Sequence, residues 1–402
     1  MFDLSKMDTL SWYAIGVPAY VLYIGLELFI ARRRARRVFG FAETISNLTA
    51  GLGTLVIGLF VGPWVVRSWQ LVHDHVAPFP WPEHAWWKLP VAIVLADFCY
   101  YVYHRAGHRF ALFWSIHGIH HQHEHLNSTV GFRLEWLADP YAALFFGVMP
   151  LLGADTTTGF AALAIVSVYA LTAHSTILPR RSFGIFVTPA IHGSHHSRDA
   201  RYAEKNFGAM LGIWDRLFGT WREPTSLDDL RADVPSIART HDGVRTQWGL
   251  VAELGRTLAR AGTWRERVRI LFAPPVVVGP KAPLRDDASI DRPTRVYVVV
   301  QFVALVALGI WLLSMRAPRP LAVQLACAAC VIGGLYTLGG LLDGRPHARL
   351  LERWRLALTS ISGAALTAWS PPLGIAIAVA AIAGIAFSFS LSQPKLLPSR
   401  SP

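Results

Sequence analysis

The chain has 402 residues, 53% of them hydrophobic and only 16% charged, with a mean hydropathy of +0.36. That composition excludes a disordered chain and an ordinary soluble one, and 32 Gly, 25 Pro and 15 Trp in so apolar a sequence point to a multispanning membrane protein. The 38 Lys and Arg outnumber the 26 Asp and Glu to give +12, but the basic residues flank apolar runs, where they set membrane topology rather than bind nucleic acid.

The first apolar run, about 10–30, is long enough to span a bilayer and is followed at once by Arg32-Arg33-Arg34-Ala35-Arg36-Arg37. Charge after the run rather than before it reads as an uncleaved anchor with its basic end cytoplasmic. Further spans are predicted at about 45–66 and 87–103, the latter delivering His104 to the cytoplasmic side. Residues 104–136 are too polar to span and are placed at the inner surface, after which 138–152 and 159–178 read as a helical hairpin that returns His174 to that surface. A long polar stretch over 179–294 forms a cap and a Pro-punctuated linker. Three or four more spans follow in 296–313, 320–342 and 356–391, with an inner loop at 343–355 and an outer loop near Arg316 and Arg319. The expected architecture is all-α: a polytopic integral membrane bundle with a cytoplasmic His-rich cap, divided into a membrane core over 1–225, a cap extension and linker over 226–294 and C-terminal spans over 295–402. Cys99, Cys327 and Cys330 lie in apolar stretches, so neither a disulfide framework nor a cysteine zinc site is expected, and Cys327-Ala-Ala-Cys330 reads as small-residue helix packing.

Of 16 histidines, nine fall into three tight groups plus one isolated position. His104-Arg-Ala-Gly-His108 puts two imidazoles at i and i+4 on one helical face. His117-Gly-Ile-His120-His121 and His192-Gly-Ser-His195-His196 repeat one spacing with i, i+3 and i+4 neighbours, and His174 adds a ninth ring. Imidazoles without thiolates or a dense carboxylate set suit zinc or iron, and eight or nine of them are too many for one ion, so two ions are expected. His123 and His125 are weighed below the others as ligands because their spacing carries them around the helix, and His73, His75, His84, His241 and His347 read as surface residues. A metal-bound imidazole needs an acceptor for its other nitrogen. Asp97, two turns before His104 in an apolar span, is the leading candidate for that role, followed by Glu124, Asn127, Asp199 and Asn206; Arg105, Arg109 and Arg133 could pair with these acids or with lipid headgroups.

These boxes resemble the fatty acid hydroxylase/sterol desaturase superfamily of integral membrane enzymes, whose pattern is H-x-x-x-H, H-x-x-H-H and a second H-x-x-H-H. Asp97-Phe-Cys-Tyr-Tyr-Val-Tyr-His104-Arg-Ala-Gly-His108 is similar to the family's first box and its lead-in, and Glu124 and Asn127 fall where it has H-H-x-x-E-x-x-N. Lys205-Asn206-Phe207-Gly208 and Ile213-Trp214-Asp215-Arg216-Leu217-Phe218-Gly219-Thr220 match two further motifs, over a likeness that runs from about 40 to 225. Gln122-His123 stand where Ser-Ser is common, Phe207 replaces Tyr, and Gly193 replaces a frequent Arg. The resemblance implies a di-iron oxygenase acting on a lipid C–H bond with O2, its iron held by His104, His108, His117, His120, His121, His174, His192, His195 and His196, with Glu124, Asp97, Asn127 and Asn206 in support. Zinc can replace the iron on purification. The length and C-terminal spans look most like the ether-cleaving branch that acts on alkylglycerols, which would imply tetrahydrobiopterin. A lipid desaturase or sterol/carotenoid hydroxylase is the alternative within the family, and a His-rich metal transporter or sensor the alternative outside it. No haem, dinucleotide or iron–sulfur signature appears in the sequence, so a separate electron donor, redox protein or pterin, is implied.

Overall fold

The computed structural model describes residues 9–178, 184–197, 199–224, 240–275, 287–313, 320–367, 371–389 and 391. The expected boundary at 226 and the outer loop at Arg316 and Arg319 lie outside the described residues. The described chain is all-helical, with one isolated β-bridge between Phe186 and Leu211.

Helix α1 (Thr9–Arg33) ends in the basic run and leads into α2 (Phe41–His75), 35 residues long with Pro63 inside it. Helix α3 (Lys88–Arg109) extends past the predicted span and carries His104 and His108 in its last two turns. The short α4 (Ala111–His117) follows, then a 3₁₀ turn at Ser128–Phe132. The predicted hairpin is α5 (Ala138–Phe146), α6 (Val148–Leu151) and α7 (Thr156–Thr172). Helices α8 (Pro189–His195) and α9 (Ile213–Leu217) bracket the segment that closes over the third histidine group. Beyond them come the surface helices α10 (Gly243–Arg260) and α11 (Trp264–Phe272), the apolar α12 (Arg292–Leu313) and α13 (Leu321–Leu342), α14 (Ala348–Leu366) with its charged first half, and the apolar α15 (Pro371–Ser388). By length and composition α2, α12 and α13 can each cross a membrane, and α7 and α15 hold shorter apolar stretches. Several apolar helices of membrane length make this an integral membrane protein.

Two apolar cores hold the bundle. One joins Leu52 and Val56 of α2 to Val298 and Leu305 of α12 and to Val331, Leu335 and Leu338 of α13. The other surrounds the first histidine pair, with Ala92, Ala96 and Tyr103 of α3 against Tyr141, Met149, Ala162 and Val166. The inner loop expected over 343–355 gives way to α14 at Ala348, because the charges there are satisfied inside the protein. Fully buried Glu352 accepts from Tyr297 Oη (2.6 Å), Thr337 Oγ1 (2.5 Å) and the Arg355 guanidinium (2.6 and 2.7 Å), the condition under which a buried ion pair is tolerated. His241, read as a surface residue, is instead buried, with Nδ1 on Asp343 Oδ1 at 3.0 Å.

The segment 128–136 lies flat on α2 because α2 offers it glycines. A Cβ on Gly53 would fall 2.3 Å from the Trp136 indole, and one on Gly51 would fall 2.8 Å from Phe132. Trp136 Nε1 donates to Ala50 O (3.1 Å), and Asn47 Nδ2 donates to Thr129 Oγ1 (2.9 Å). Gly53→Ala should therefore displace Trp136 and its neighbour Glu135, at a cost of about 1–3 kcal/mol for overpacking. The measurement is thermal stability in detergent, and an unchanged midpoint would contradict the close packing.

Candidate metal centre

Each histidine group sits at the end of a helix. His104 and His108 lie one turn apart on α3, and Gly107 between them lets α4 come close: a Cβ there would meet His117 Cβ and Cδ2 at 3.2 Å. The second group is not on a continuous helix as its spacing suggested. α4 ends at His117, and the chain turns through His120 N to His117 O (2.9 Å) and Gln122 N to Ile119 O (3.0 Å), which swings His120 and His121 to different sides. Thr188 caps α8, whose last turn carries His192 and His195, with His196 at its C-cap. His174 follows α7 at a turn held by its own N–H on Leu171 O (3.4 Å).

These ends bring eight imidazoles into two buried quartets. His104, His108, His121 and His195 form one, and His120, His174, His192 and His196 the other, with the ligand atoms within each lying inside 4.8 Å of one another. In the first, His108 Nε2 is 3.0 Å and His195 Nε2 3.3 Å from His121 Nε2. In the second, Nε2 of His174 lies 3.1 Å from that of His120 and 2.9 Å from that of His192, which is 3.0 Å from that of His196.

The outer nitrogens say what those contacts are. His104 Nδ1 reaches Phe207 O at 2.8 Å and His195 Nδ1 reaches Lys205 O at 2.9 Å, while His120 and His174 face Arg133 O (3.4 Å) and Leu171 O (3.3 Å). A carbonyl only accepts, so each of these rings spends its single N–H outward and presents a bare Nε2 lone pair inward. Lone pairs facing one another at about 3 Å repel unless a cation lies among them. The donor set, all imidazole, fits iron or zinc.

The ninth predicted histidine, His117, stands beside the first quartet, its ring centroid 4.9 Å from that of His104 and 5.2 Å from that of His108. Its Nδ1 donates to Glu135 Oε1 at 2.6 Å, and its Nε2 is buried with no hydrogen-bond partner among the described residues. His123 is outside both quartets, with Nε2 2.9 Å from His196 Nδ1. His125 turns away to Glu43 Oε2 (2.8 Å).

The supporting residues work mostly through the backbone. Asp97 accepts from Met210 N (2.9 Å), Leu211 N (3.1 Å) and Trp214 Nε1 (2.9 Å), so its three hydrogen bonds go to the 210–214 segment and none to an imidazole. Asn206, at a φ of 62°, donates to Ser194 Oγ (2.8 Å) and Arg222 O (2.6 Å). Asn127 caps the 3₁₀ turn through Thr129 N (2.9 Å) and holds Val38 O (2.6 Å). The Glu124 side chain is exposed while its N–H meets Glu43 Oε1, and Asp199 is bonded to Arg201.

Sequence reasoning missed Glu135, Glu43 and Glu27. Glu27, buried in α1, receives Ser128 N (2.9 Å) and Thr176 Oγ1 (2.6 Å), tying α1 to the turns that follow the second histidine group and His174. The available signal was an acid inside an apolar run, the same signal that singled out Asp97. Of the three undecided arginines, Arg133 is buried and bonds Ile119 O (2.9 Å) and Asn47 Oδ1 (2.9 Å), and Arg105 bonds Tyr101 Oη (3.1 Å).

A centre of this kind, two imidazole quartets in a membrane helical bundle, defines a class of membrane di-metal oxidoreductases. Residues 89–220 match the fatty acid hydroxylase family, and this segment holds all nine predicted ligand histidines. The chain is similar to the alkylglycerol monooxygenase of Homo sapiens, 22% identical over 361 residues that cover 85% of this chain and 80% of the human protein. It is 24% identical to the alkylglycerol monooxygenase of Danio rerio over 401 residues, 89% of this chain and 85% of the fish protein. Ornithine lipid hydroxylase OlsE of Rhizobium tropici is 28% identical over 196 residues, 47% of this chain and 55% of the bacterial one. No solved structure matches the chain. A match to an enzyme family over the segment that holds the centre, and likeness to monooxygenases over most of the chain, set aside the transporter and sensor alternative.

Burial, and after it the neighbouring imidazoles, holds His121, His192 and His196 well below the usual histidine range, and burial pushes His195 down to about 3. An unfolded chain would titrate these rings near 6.5, so unfolding takes up protons below that value and stability rises with pH there. The metal-free protein should be at full stability above about pH 6.5 and lose it as the pH falls toward the folded values. Thermal midpoints of chelator-treated protein between pH 7.5 and 5 measure this, and a flat profile would contradict neutral burial.

Proposed function

We propose that the chain is a membrane di-iron monooxygenase that hydroxylates an alkylglycerol beside its ether oxygen. The observation that carries this reading is the pair of quartets with inward lone pairs. His104, His108, His121 and His195 hold one ion, with the free Nε2 of His117 as a fifth donor, and His120, His174, His192 and His196 hold the other. Together they use the eight histidines singled out by spacing and the isolated His174. Bound there, two ferrous ions would supply the reduction of dioxygen that inserts one oxygen atom into a C–H bond.

The chain's own residues provide what surrounds that chemistry. Backbone carbonyls of Phe207 and Lys205 fix two imidazoles, and Glu135 fixes a third. Tyr100, Tyr103, Phe113, Tyr141 and Phe145 pack into an aromatic wall that reaches His104 and His117 and keeps water from that side. Lipid would enter from the bilayer. Helix α11 supports this, since exposed Trp264, Val268 and Phe272 recur at i, i+4 and i+8 between Arg265, Arg267 and Arg269, as in a helix lying in a bilayer interface. We place the centre on the cytoplasmic side: the Arg32–Arg37 run leads directly into Val38, whose carbonyl meets Asn127 next to the second box.

Similarity to the alkylglycerol monooxygenases over most of the chain supports the ether substrate. Hydroxylation at the carbon bonded to the ether oxygen gives a hemiacetal, which collapses to an aldehyde and glycerol. A second reading, hydroxylation of an acyl chain or a sterol desaturation, is favoured by the likeness of the core to ornithine lipid hydroxylase OlsE and to the Delta(7)-sterol 5(6)-desaturase of Leptosphaeria maculans.

The test is turnover of a lipid panel by iron-loaded protein in nanodiscs, with reduced tetrahydrobiopterin compared against a redox protein as electron donor. Aldehyde from an alkylglycerol is expected; a stable alcohol or an alkene from another lipid, with no aldehyde, would overturn the ether assignment. His120→Ala should abolish metal retention and turnover together while membrane insertion survives, and full activity in that variant would refute the ligand assignment.

A further inference from the structure

His123 is not one of the nine ligand histidines, yet it is 2% exposed and lies against one of them. Its Nε2 is 2.9 Å from Nδ1 of His196, with ring centroids 4.9 Å apart. His196 turns its Nε2 toward His192 Nε2, 3.0 Å away, inside the second quartet. If Nε2 gives its lone pair to an ion, Nδ1 must carry the proton, and the only role left to His123 Nε2 is acceptor. His123 then holds its own proton on Nδ1, which is buried with no partner among the described residues.

Four other outer nitrogens meet a different kind of acceptor. In the first quartet His104 and His195 donate to backbone carbonyls of the 205–207 segment, which no side-chain substitution removes. In the second quartet His120 and His174 face carbonyls only at 3.4 and 3.3 Å, so the 2.9 Å contact from His196 to His123 is the shortest of these three outer hydrogen bonds. An imidazole acceptor is polarisable and basic, and a donor hydrogen-bonded to it becomes a better metal ligand.

We propose that His123 is a positioning residue for His196, holding that ring in the tautomer and orientation that the second ion requires and making the two ions unequal. The inference rests on the di-metal reading above. His123 touches no ion itself. It acts through one ring, so it governs one quartet and leaves the other unchanged.

Wild-type protein and variants in nanodiscs are loaded anaerobically with ferrous iron, challenged with a chelator, and assayed for iron per chain and by Mössbauer spectroscopy. His123→Phe removes the acceptor while filling the space. It should release one ion about 10–100-fold more readily than wild type and change one of two quadrupole doublets. His123→Gln, whose amide oxygen can reach the Nε2 position, should keep both ions and both doublets. If the Phe variant does not fold, His123→Asn replaces it: its shorter amide mimics Nδ1 and cannot reach His196, so the same single ion should be lost.

Both ions retained with unchanged spectra in the Phe or Asn variant would overturn the proposal. So would loss of the ion from His123→Gln as complete as from His123→Phe, since that outcome makes His123 a ligand. Absence of iron from the wild type would instead overturn the metal reading beneath it, so the two failures are distinguishable.

Discussion

The centre turns on one constraint: imidazole nitrogens at about 3 Å face inward as bare lone pairs where the ring's outward N–H is spent on an acceptor, as it is for His104, His195, His120 and His174. Two of those holds come from a stretch with no regular structure, residues 205–208. Phe207 and Gly208 N–H groups both donate to the Asp215 carboxylate at 2.8 Å, which turns the Phe207 carbonyl toward His104. Asn206 adopts a positive φ and bridges Ser194 to Arg222, which sets the Lys205 carbonyl against His195. Asn tolerates that backbone region better than most residues, since its short amide can bond locally. The Lys-Asn-Phe-Gly and Trp-Asp-Arg motifs are thus one device for aiming carbonyls, assembled from two places in the chain.

Asp97 shows how far such support extends. It receives the N–H groups of Met210 and Leu211 and the Trp214 indole, so it anchors the stretch between those two motifs to α3, the helix that carries His104. The acid and the histidine two turns on are linked by rigid backbone instead of a shared hydrogen bond. A direct Asp–His contact was the natural reading of the sequence because carboxylates commonly orient metal-bound imidazoles. That role belongs to Glu135 for His117, an acid 18 residues further along that only the lie of 128–136 on α2 brings into range.

The histidine spacing singled out eight residues because i, i+3 and i+4 offsets bring side chains together wherever a helix or a tight turn follows, and seven of them lie in the two quartets, the eighth quartet member being the isolated His174. Helical identity was less legible. Gly118 ends α4, and the following 3₁₀-like turns send His120 to one quartet and His121 to the other, which an unbroken helix would not do. The membrane helices were legible from apolar length, but the charged start of α14 was not. Hydropathy treats Glu352 and Arg355 as water-seeking, and it has no knowledge of Tyr297, Gln301 and Thr337 on two other helices that satisfy them. His241 escaped for the same reason, its partner Asp343 being a hundred residues away.

The C-terminal helices supply none of the nine ligand histidines, yet the centre depends on them through α2. Helices α12 and α13 pack on α2 along Leu52 and Val56, and a Cβ on Gly309 of α12 would lie 2.7 Å from Leu52. The opposite side of α2 carries Asn47, Gly51 and Gly53, against which Thr129, Phe132 and Trp136 rest. That segment supplies the Arg133 carbonyl to His120 and the Glu135 carboxylate to His117. Helix α10 clamps it from outside, since Gln247 accepts from Trp136 N and donates to Leu134 O, both at 2.9 Å. The start of α10 is tied in turn to the end of α13, where a Cβ on Gly339 would fall 2.2 Å from Asp242 Cα, and to the turn after it, with Arg345 Nη1 2.6 Å from Asp242 Oδ2. A force on α13 therefore reaches two imidazoles through packed, hydrogen-bonded steps, and the apolar C-terminal third is part of what keeps the metal centre in register.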